Sequence, residues 1–343
     1  MTIIRYIKIL RTYWTDKSKN YLMVFLNIIL MFLRLPFSIV DSLLYQFSKS
    51  KEFTPIFVLG YYRSGTTHLQ KLISLNQEVG YINIFMTYFP DSFKSLSWWF
   101  KPITQMTLSL LRVKNPIHRC PFNWDLPGEE DIAFAFLPSH FSLNWLHAFP
   151  SKYEEIQEYS LLEKDNKEQF KKLYKGYVQK IANYRKRNFL VLKSPPNTAR
   201  VSTLLELYPN AKFIYIERDA RETLSSNQYM WDVVKDAQFE YIDEDERDRR
   251  IVDLYVKLTD RYFEERDLID EKNLYEIKFE DLMKSPKEYI LDIYNKFQIP
   301  MNKESLSCLE EFILENHGRY RGKHVSVSCN SSVLASLDTV KRL

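Results

Sequence analysis

"FVLGYYRSGTTHLQ", from Phe57 to Gln70, joins the end of an apolar run to the start of a helix-periodic one. Upstream, TPIFVLG (54–60) is a short strand pattern, with Pro55 at its start, where a missing N–H does no harm, and Gly60 at its end. Downstream of Thr66, Leu69, Leu72 and Ile73 fall at i, i+3 and i+4 and predict one buried helical stripe. Gly60, four intervening residues and Gly65 have the spacing of a phosphate-binding loop, but Thr66 stands where a nucleotide kinase carries lysine. The chain has only 7 glycines in 343 residues, so two of them bracketing one loop is informative. Successive N–H groups in YYRSGTT, followed by the positive end of a helix, form a concave donor site for a phosphate-like anion. Arg63 brings a planar fork of donors from inside the loop and replaces the lost lysine, while Ser64, Thr66 and Thr67 offer hydroxyls.

Outward from this loop the pattern alternates. NFLVLKSP (188–195), AKFIYIERD (211–219) and NLYEIKFEDL (273–282) each read as a strand followed by a helix. Such alternation predicts an α/β fold of three layers, α/β/α, with a central parallel sheet and its ligand at the carboxyl ends of the strands. Arg63, Lys193 and Arg218, each at or just past a strand end, should meet on one rim. In FIYIERDARETLSSNQYMW, Asp219 is placed to cap the next helix, with Glu222 completing a capping-box-like pair. Arg218 and Ser226, eight residues on, can then grip a second, separate phosphate; the plainer reading is a helix cap with a surface arginine. The stretch from about 81 to 187 does not alternate and reads as a mainly helical insertion over the ligand edge. Its tryptophans, Trp98, Trp99, Trp124 and Trp145, suit either an acceptor pocket or ordinary core. The charge run DEDERDRR (243–250) reads as a solvated helix face or loop.

Composition bounds the rest. With 45% hydrophobic and 27% charged residues the chain is a folded globular protein, and a formal charge of +4 is too small to argue for nucleic acid. Cys120, Cys308 and Cys329 are odd in number and widely spaced, so neither a disulfide framework nor a zinc site is indicated, and a cytoplasmic location is expected. Residues 1–50 form a separate basic and apolar helical segment. Arg5, Lys8, Arg11, Lys17 and Lys19 precede the apolar run YLMVFLNIILMFL (21–33), which Arg34 and Pro36 interrupt. A bilayer crossing needs about 20 apolar residues, so the run reads as a helix packed on the domain or lying at a membrane surface, and both readings stay open.

Taken together, GYYRSGTTHLQKLI and RDARETLSS resemble the 5′-phosphosulfate loop and the 3′-phosphate element of sulfotransferases that use 3′-phosphoadenosine-5′-phosphosulfate, in particular their large, mainly bacterial branch. The similarity continues through PGEEDIAFAF, FLVLKSP, LYPNAKFIYIERD and FEDLMKSPKEYILDIYNKFQIP, covering about residues 53–325 in order. The resemblance implies a sulfotransferase domain at 51–330 and a C-terminal tail at 331–343. It implies that Arg63, Ser64, Gly65, Thr66 and Thr67 hold the 5′-phosphosulfate, that Arg218 and Ser226 hold the 3′-phosphate, and that Lys193 lies at the sulfuryl group. Many relatives carry a Trp-Glu pair after the loop helix, with Glu a candidate base; YINIFMTYF (81–89) has Phe85 and Met86 there instead. Glu129, in PGEED, is then the first candidate base, with Glu130, Asp131, His140 and His147 as rivals. HGRYRGKH (317–324) resembles the basic segment that closes over the nucleotide, through Arg319, Arg321 and Lys323.

The implied reaction is in-line transfer of a sulfuryl group to a hydroxyl or amine of a small-molecule, lipid or glycan acceptor, without a metal. Fixed cations and loop N–H groups carry such a reaction by spreading charge in its transition state. A P-loop kinase or NTPase explains the loop but not Thr66, Arg218 and Ser226, and a non-catalytic nucleotide-binding protein would explain the missing Glu beside Met86.

Overall fold

The computed structural model describes residues 2–16, 18–115, 120–235 and 238–316. Along the chain come helices α1 (Thr2–Tyr13) and α2 (Tyr21–Gln46), strand β1 (Thr54–Leu59), helix α3 (Thr66–Ser74) and strand β2 (Val79–Tyr81). Helices follow: α4 (Ile84–Tyr88), α5 (Phe93–Leu96), α6 (Phe100–Leu110), α7 (Glu130–Phe136), α8 (Trp145–Ala148), α9 (Tyr153–Ser160) and α10 (Lys167–Arg185). Then come β3 (Phe189–Lys193), α11 (Val201–Leu207), β4 (Lys212–Glu217), α12 (Ala220–Val234), α13 (Glu244–Glu265) and β5 (Leu274–Lys278). The last described helices are α14 (Phe279–Lys284), α15 (Pro286–Phe297) and α16 (Lys303–Glu315). The chain divides into two compact units, one of residues 1–51, 82–184 and 230–242, the other of 52–81, 185–229 and 243–343.

The second unit is built on a five-stranded sheet in the order β2-β3-β1-β4-β5, with every pairing parallel. Alternation along each strand sends successive side chains to opposite faces. On one face Ile56 and Val58 of β1, Val191 of β3, Ile214 and Ile216 of β4 and Ile277 of β5 pack against Leu69, Leu72 and Ile73 of α3, Ile290 and Ile293 of α15, and Leu309 of α16. On the other face Phe57 lies against Phe213, and Tyr215 stacks on Tyr262 of α13 at 3.8 Å between centroids. Two helical layers thus cover a strand set that is apolar on both sides, the expected three-layer α/β/α arrangement. Strand order reverses around β1, whose neighbours are β3 and β4, and such a switch point opens a crevice at the carboxyl end of the strand.

The first unit is helical, and its aromatic residues are mostly core. Trp124 meets Phe85, Phe89 and Phe122 edge-on, whereas Trp98 is exposed. Helix α2 differs from its sequence reading: it runs 26 residues, through Arg34 and Pro36, to Gln46. By length and composition it could cross a membrane. Proline removes one helical hydrogen bond, but side chains on either side of it tie the helix down. Arg34 pairs with Asp91, and Asp41 accepts hydrogen bonds from the amides of Lys94 (2.8 Å) and Ser95 (2.9 Å). DEDERDRR supplies the N-cap and the first two turns of α13, where Asp243 caps the amides of Asp245 and Glu246 and Asp248 is buried against Gln228 (2.7 Å).

Candidate active site

The loop between β1 and α3 is shaped by three residues with positive φ. Gly60 (φ 143°) passes so close to β4 that a Cβ there would lie 2.5 Å from the Ile216 carbonyl oxygen. Its N–H donates to Thr198 Oγ1 (2.8 Å), and that hydroxyl donates back to the Gly60 carbonyl (3.2 Å), so the strand exit is pinned from the segment after β3. Arg63 takes the left-handed conformation at φ 70°, a strained choice for a residue with a Cβ. Ser64 uses both its N–H (3.2 Å) and its hydroxyl (2.7 Å) to close the turn on the Tyr61 carbonyl, so the hydroxyl expected to face an anion is taken up inside the loop. Gly65 (φ 99°) is the N-cap of α3, and no side chain caps the helix there. The first-turn amides of Thr66, Thr67 and His68 therefore stand at the positive end of the helix dipole, the arrangement that binds anions.

Cationic side chains converge on that helix start. Lys193 ends β3 in register with Val58 of β1, which directs it to the α3 face of the sheet. It is 1% exposed, and its ammonium donates to Thr67 Oγ1 at 3.1 Å. Arg63 Nε donates to Ser226 Oγ on α12 at 2.9 Å, and Arg218 Nη1 donates to the Arg63 carbonyl at 3.4 Å. Arg63, Lys193, Arg218, Ser226, Thr67 and Gly65 are thus brought to one rim, as the strand-end positions required. Phe279, the first residue after β5, was not foreseen. Its ring lies where a Gly65 Cβ would be, 2.3 Å from that position, and the Arg218 guanidinium sits over the same ring at 4.8 Å. One aromatic side chain so links the loop to the second arginine. Thr198 was also missed, because nothing in the spacing of SPPNTAR marks a hydroxyl that pins another loop.

The start of α12 departs in part from the capping-box pattern. Asp219 Oδ1 does cap the Glu222 N–H (3.0 Å), but Glu222 does not return a bond to the Asp219 amide, which donates to Glu280 at 3.3 Å. Its carboxylate instead receives Arg218 Nη2 (2.5 Å) and Nε (3.1 Å). A strong guanidinium donor one turn away outcompetes the neutral amide.

The proton-acceptor candidates of the first unit sort by environment. Glu130 and Asp131 are fully buried rather than solvated. Glu130 accepts from the Tyr174 hydroxyl (2.8 Å), and Asp131 gathers the amides of Leu143 (3.1 Å) and Asn144 (3.2 Å) with the Asn144 side chain (2.6 Å). His140 Nδ1 is tied to the Tyr13 hydroxyl at 2.8 Å, and burial, helped by the nearby Lys8 charge, lowers its pKa to about 4. His147 packs on Trp231 at 4.3 Å, and burial again lowers its pKa to about 4. Glu129, the N-cap of α7, is half-buried. Gly128 before it lies so close to α4 that a Cβ would meet Thr87 Cγ2 at 2.5 Å, which holds the PGEED turn against the segment carrying Phe85 and Met86. Arg319, Arg321 and Lys323 lie outside the described residues.

A parallel sheet with a glycine-bracketed loop, an uncapped helix N-terminus and converging cations at its switch point defines an α/β protein of the P-loop-like class. The chain belongs to the sulfotransferase family, whose family model matches residues 55–303. It is 27% identical over 279 residues to the omega-hydroxy-beta-dihydromenaquinone-9 sulfotransferase Stf3 of Mycobacterium bovis and, equally, of Mycobacterium tuberculosis, covering 78% of this chain and 68% of each relative. Its fold is that of the solved sulfotransferase STF1 of Mycobacterium tuberculosis (TM-score 0.70, 16% identity, 91% of this chain and 88% of that one). It is also that of STF9 of Mycobacterium avium (TM-score 0.63, 18% identity, 77% and 69%).

Proposed function

We propose that this transferase moves a sulfuryl group from 3′-phosphoadenosine-5′-phosphosulfate to an acceptor hydroxyl or amine by in-line displacement. The bond from sulfur to the bridging phosphate oxygen breaks as the acceptor oxygen or nitrogen bonds to sulfur. The acceptor's proton passes to a base, and adenosine 3′,5′-bisphosphate leaves. The observation that carries this reading is the convergence of Arg63, Lys193, Arg218 and Ser226 on the uncapped start of α3. The amides of Gly65, Thr66 and Thr67 and the Arg63 side chain take the 5′-phosphosulfate, and Ser64 shapes the loop that presents them. Lys193 and Thr67 meet the charge that develops on the bridging oxygen as it leaves. Arg218 and Ser226 take the 3′-phosphate, so donor binding exchanges part of the Glu222–Arg218 pairing for a phosphate contact.

Glu129 remains the proposed base, because Glu130 and Asp131 are occupied in holding the fold and the two histidines are poor proton acceptors at their lowered pKa. No metal is assigned a part. The acceptor is a small molecule, lipid or glycan, and the relatives named for a menaquinone derivative favour an apolar one. Cys120 and Cys308 are free thiols, which suits the cytoplasm, with residues 1–50 against a membrane surface. The test is thermal stabilisation by adenosine 3′,5′-bisphosphate compared with ATP and magnesium, followed by transfer from labelled donor to a panel of phenols, sugars, lipids and amines. Stabilisation by ATP-magnesium alone would favour a kinase. Donor binding with no transfer to any acceptor would favour a non-catalytic binding protein.

A further inference from the structure

Helix α2 is turned inside out. Arg34 and Asp41, the charged residues of its 26-residue span, both face the body of the first unit, and Asn27 donates to the Tyr6 hydroxyl of α1 (3.3 Å). The outer face is apolar instead: Leu22, Phe25, Ile29, Leu33, Ile39 and Leu43, recurring at helical spacing, are each 37–68% exposed. A helix facing water carries the opposite pattern, so an outward apolar stripe this long marks a surface that something covers. Helix α6 repeats the pattern independently. It has no buried residue, and Ile103, Met106 and Leu110, at i, i+3 and i+7, are all more than half exposed, as is Trp98 just before the helix. Phe37 of α2 packs on Trp99 at 5.6 Å, so the two apolar helices are neighbours.

We propose that α2 and α6 together dock the protein on an anionic lipid bilayer, with α2 lying in the plane of the interface and not crossing it. This deepens the membrane side of the proposed function and does not depend on the donor. Three observations choose the occupant. Helix α1, in contact with α2, buries Tyr6, Ile9 and Tyr13 and exposes Arg5, Lys8 and Arg11, cations that suit anionic headgroups. A second copy of this chain would bring those same charges together. Tyr21 at the start of α2 and Trp98 before α6 are both more than 70% exposed, and such amphipathic rings favour the headgroup level. At about 1.5 Å per residue α2 is long enough to span, but a crossing would draw Arg34, Asp41, Asp91 and the start of α5 into hydrocarbon with it.

The test floats the full chain with vesicles of phosphatidylcholine, with and without phosphatidylglycerol. Wild type should float with the anionic vesicles and be released by alkaline carbonate. Phe25→Glu with Leu33→Glu on α2, and separately Met106→Glu with Leu110→Glu on α6, should each lower the bound fraction by about tenfold or more. Both pairs should leave thermal stabilisation by adenosine 3′,5′-bisphosphate unchanged, which separates this outcome from failure of the donor assignment and from misfolding. Arg5→Gln with Lys8→Gln should remove mainly the preference for anionic lipid. Wild type that fails to float, or an α6 pair that floats like wild type, overturns the proposal. Resistance to carbonate would make α2 a true span, and a wild-type dimer dissociated by the same substitutions would make the face a contact between copies; either result overturns in-plane docking.

Discussion

Replacing Gly65 by alanine perturbs a residue that packs on Phe279, the ring that also carries the Arg218 guanidinium of the proposed donor site. Two costs can be separated. Placing a Cβ at φ 99° costs on the order of 1–2 kcal/mol of backbone strain. That Cβ would also lie 2.3 Å from the Phe279 ring, and forcing the ring away adds about 1–3 kcal/mol of overpacking. The sum, roughly 2–5 kcal/mol, shifts the unfolding equilibrium of this unit by about thirtyfold to several thousandfold. The ring cannot move without disturbing the guanidinium stacked on it at 4.8 Å, so affinity for adenosine 3′,5′-bisphosphate should fall as well. Urea denaturation and calorimetric titration measure the two effects. In a Phe279→Ala background the ring is gone, and the cost of Gly65→Ala should shrink to the backbone part, about 1–2 kcal/mol. An equal cost in both backgrounds, or a single variant within about 0.5 kcal/mol of wild type, would refute the steric reasoning.

Lys193→Met keeps the volume of a buried side chain and removes its charge. Transfer should drop by about a hundredfold or more with the circular dichroism spectrum unchanged, and normal turnover would exclude the lysine from the site. Arg218→Met should weaken adenosine 3′,5′-bisphosphate by about ten- to a hundredfold, the worth of a charge-assisted hydrogen bond, yet leave adenosine 5′-phosphosulfate almost untouched, because that analogue lacks the 3′-phosphate. Equal losses for both ligands would remove Arg218 from the 3′ side. His68, His140 and His147 all have folded pKa values of about 4, below the ordinary 6.5, so the unfolded chain binds more protons between those values. Their contribution to stability is whole above about pH 6.5 and is lost as pH falls towards about 4. Urea titrations across that window should show a declining midpoint, and His147→Phe should flatten the slope; a flat wild-type profile would contradict the burial of these rings.

Much of the second unit was legible because its signals are local. The apolar strand run through Ile56, Phe57 and Val58, the stripe Leu69, Leu72 and Ile73, and the two glycines report backbone geometry within a few residues, and each was realised as read. The first unit was less legible. Arg34 and Pro36 look like helix breaks until Asp91 and the Lys94 and Ser95 amides, some fifty residues away, hold the helix through them. PGEED looks like a solvated acidic run until Tyr174 and the 142–144 turn are folded against it.

What the chain's own order of residues determined is the parallel three-layer fold and the identity of the rim, because strand ends and glycine-bracketed turns are specified by neighbours in sequence. Tertiary structure alone decided who partners whom there. Glu222 turns from its helix cap to Arg218, Ser64 turns inward to Tyr61, and Phe279 arrives from the last strand to seat both Gly65 and Arg218. Each of these choices depends on which competing donor or ring lies nearest in space, a quantity that spacing along the chain does not contain.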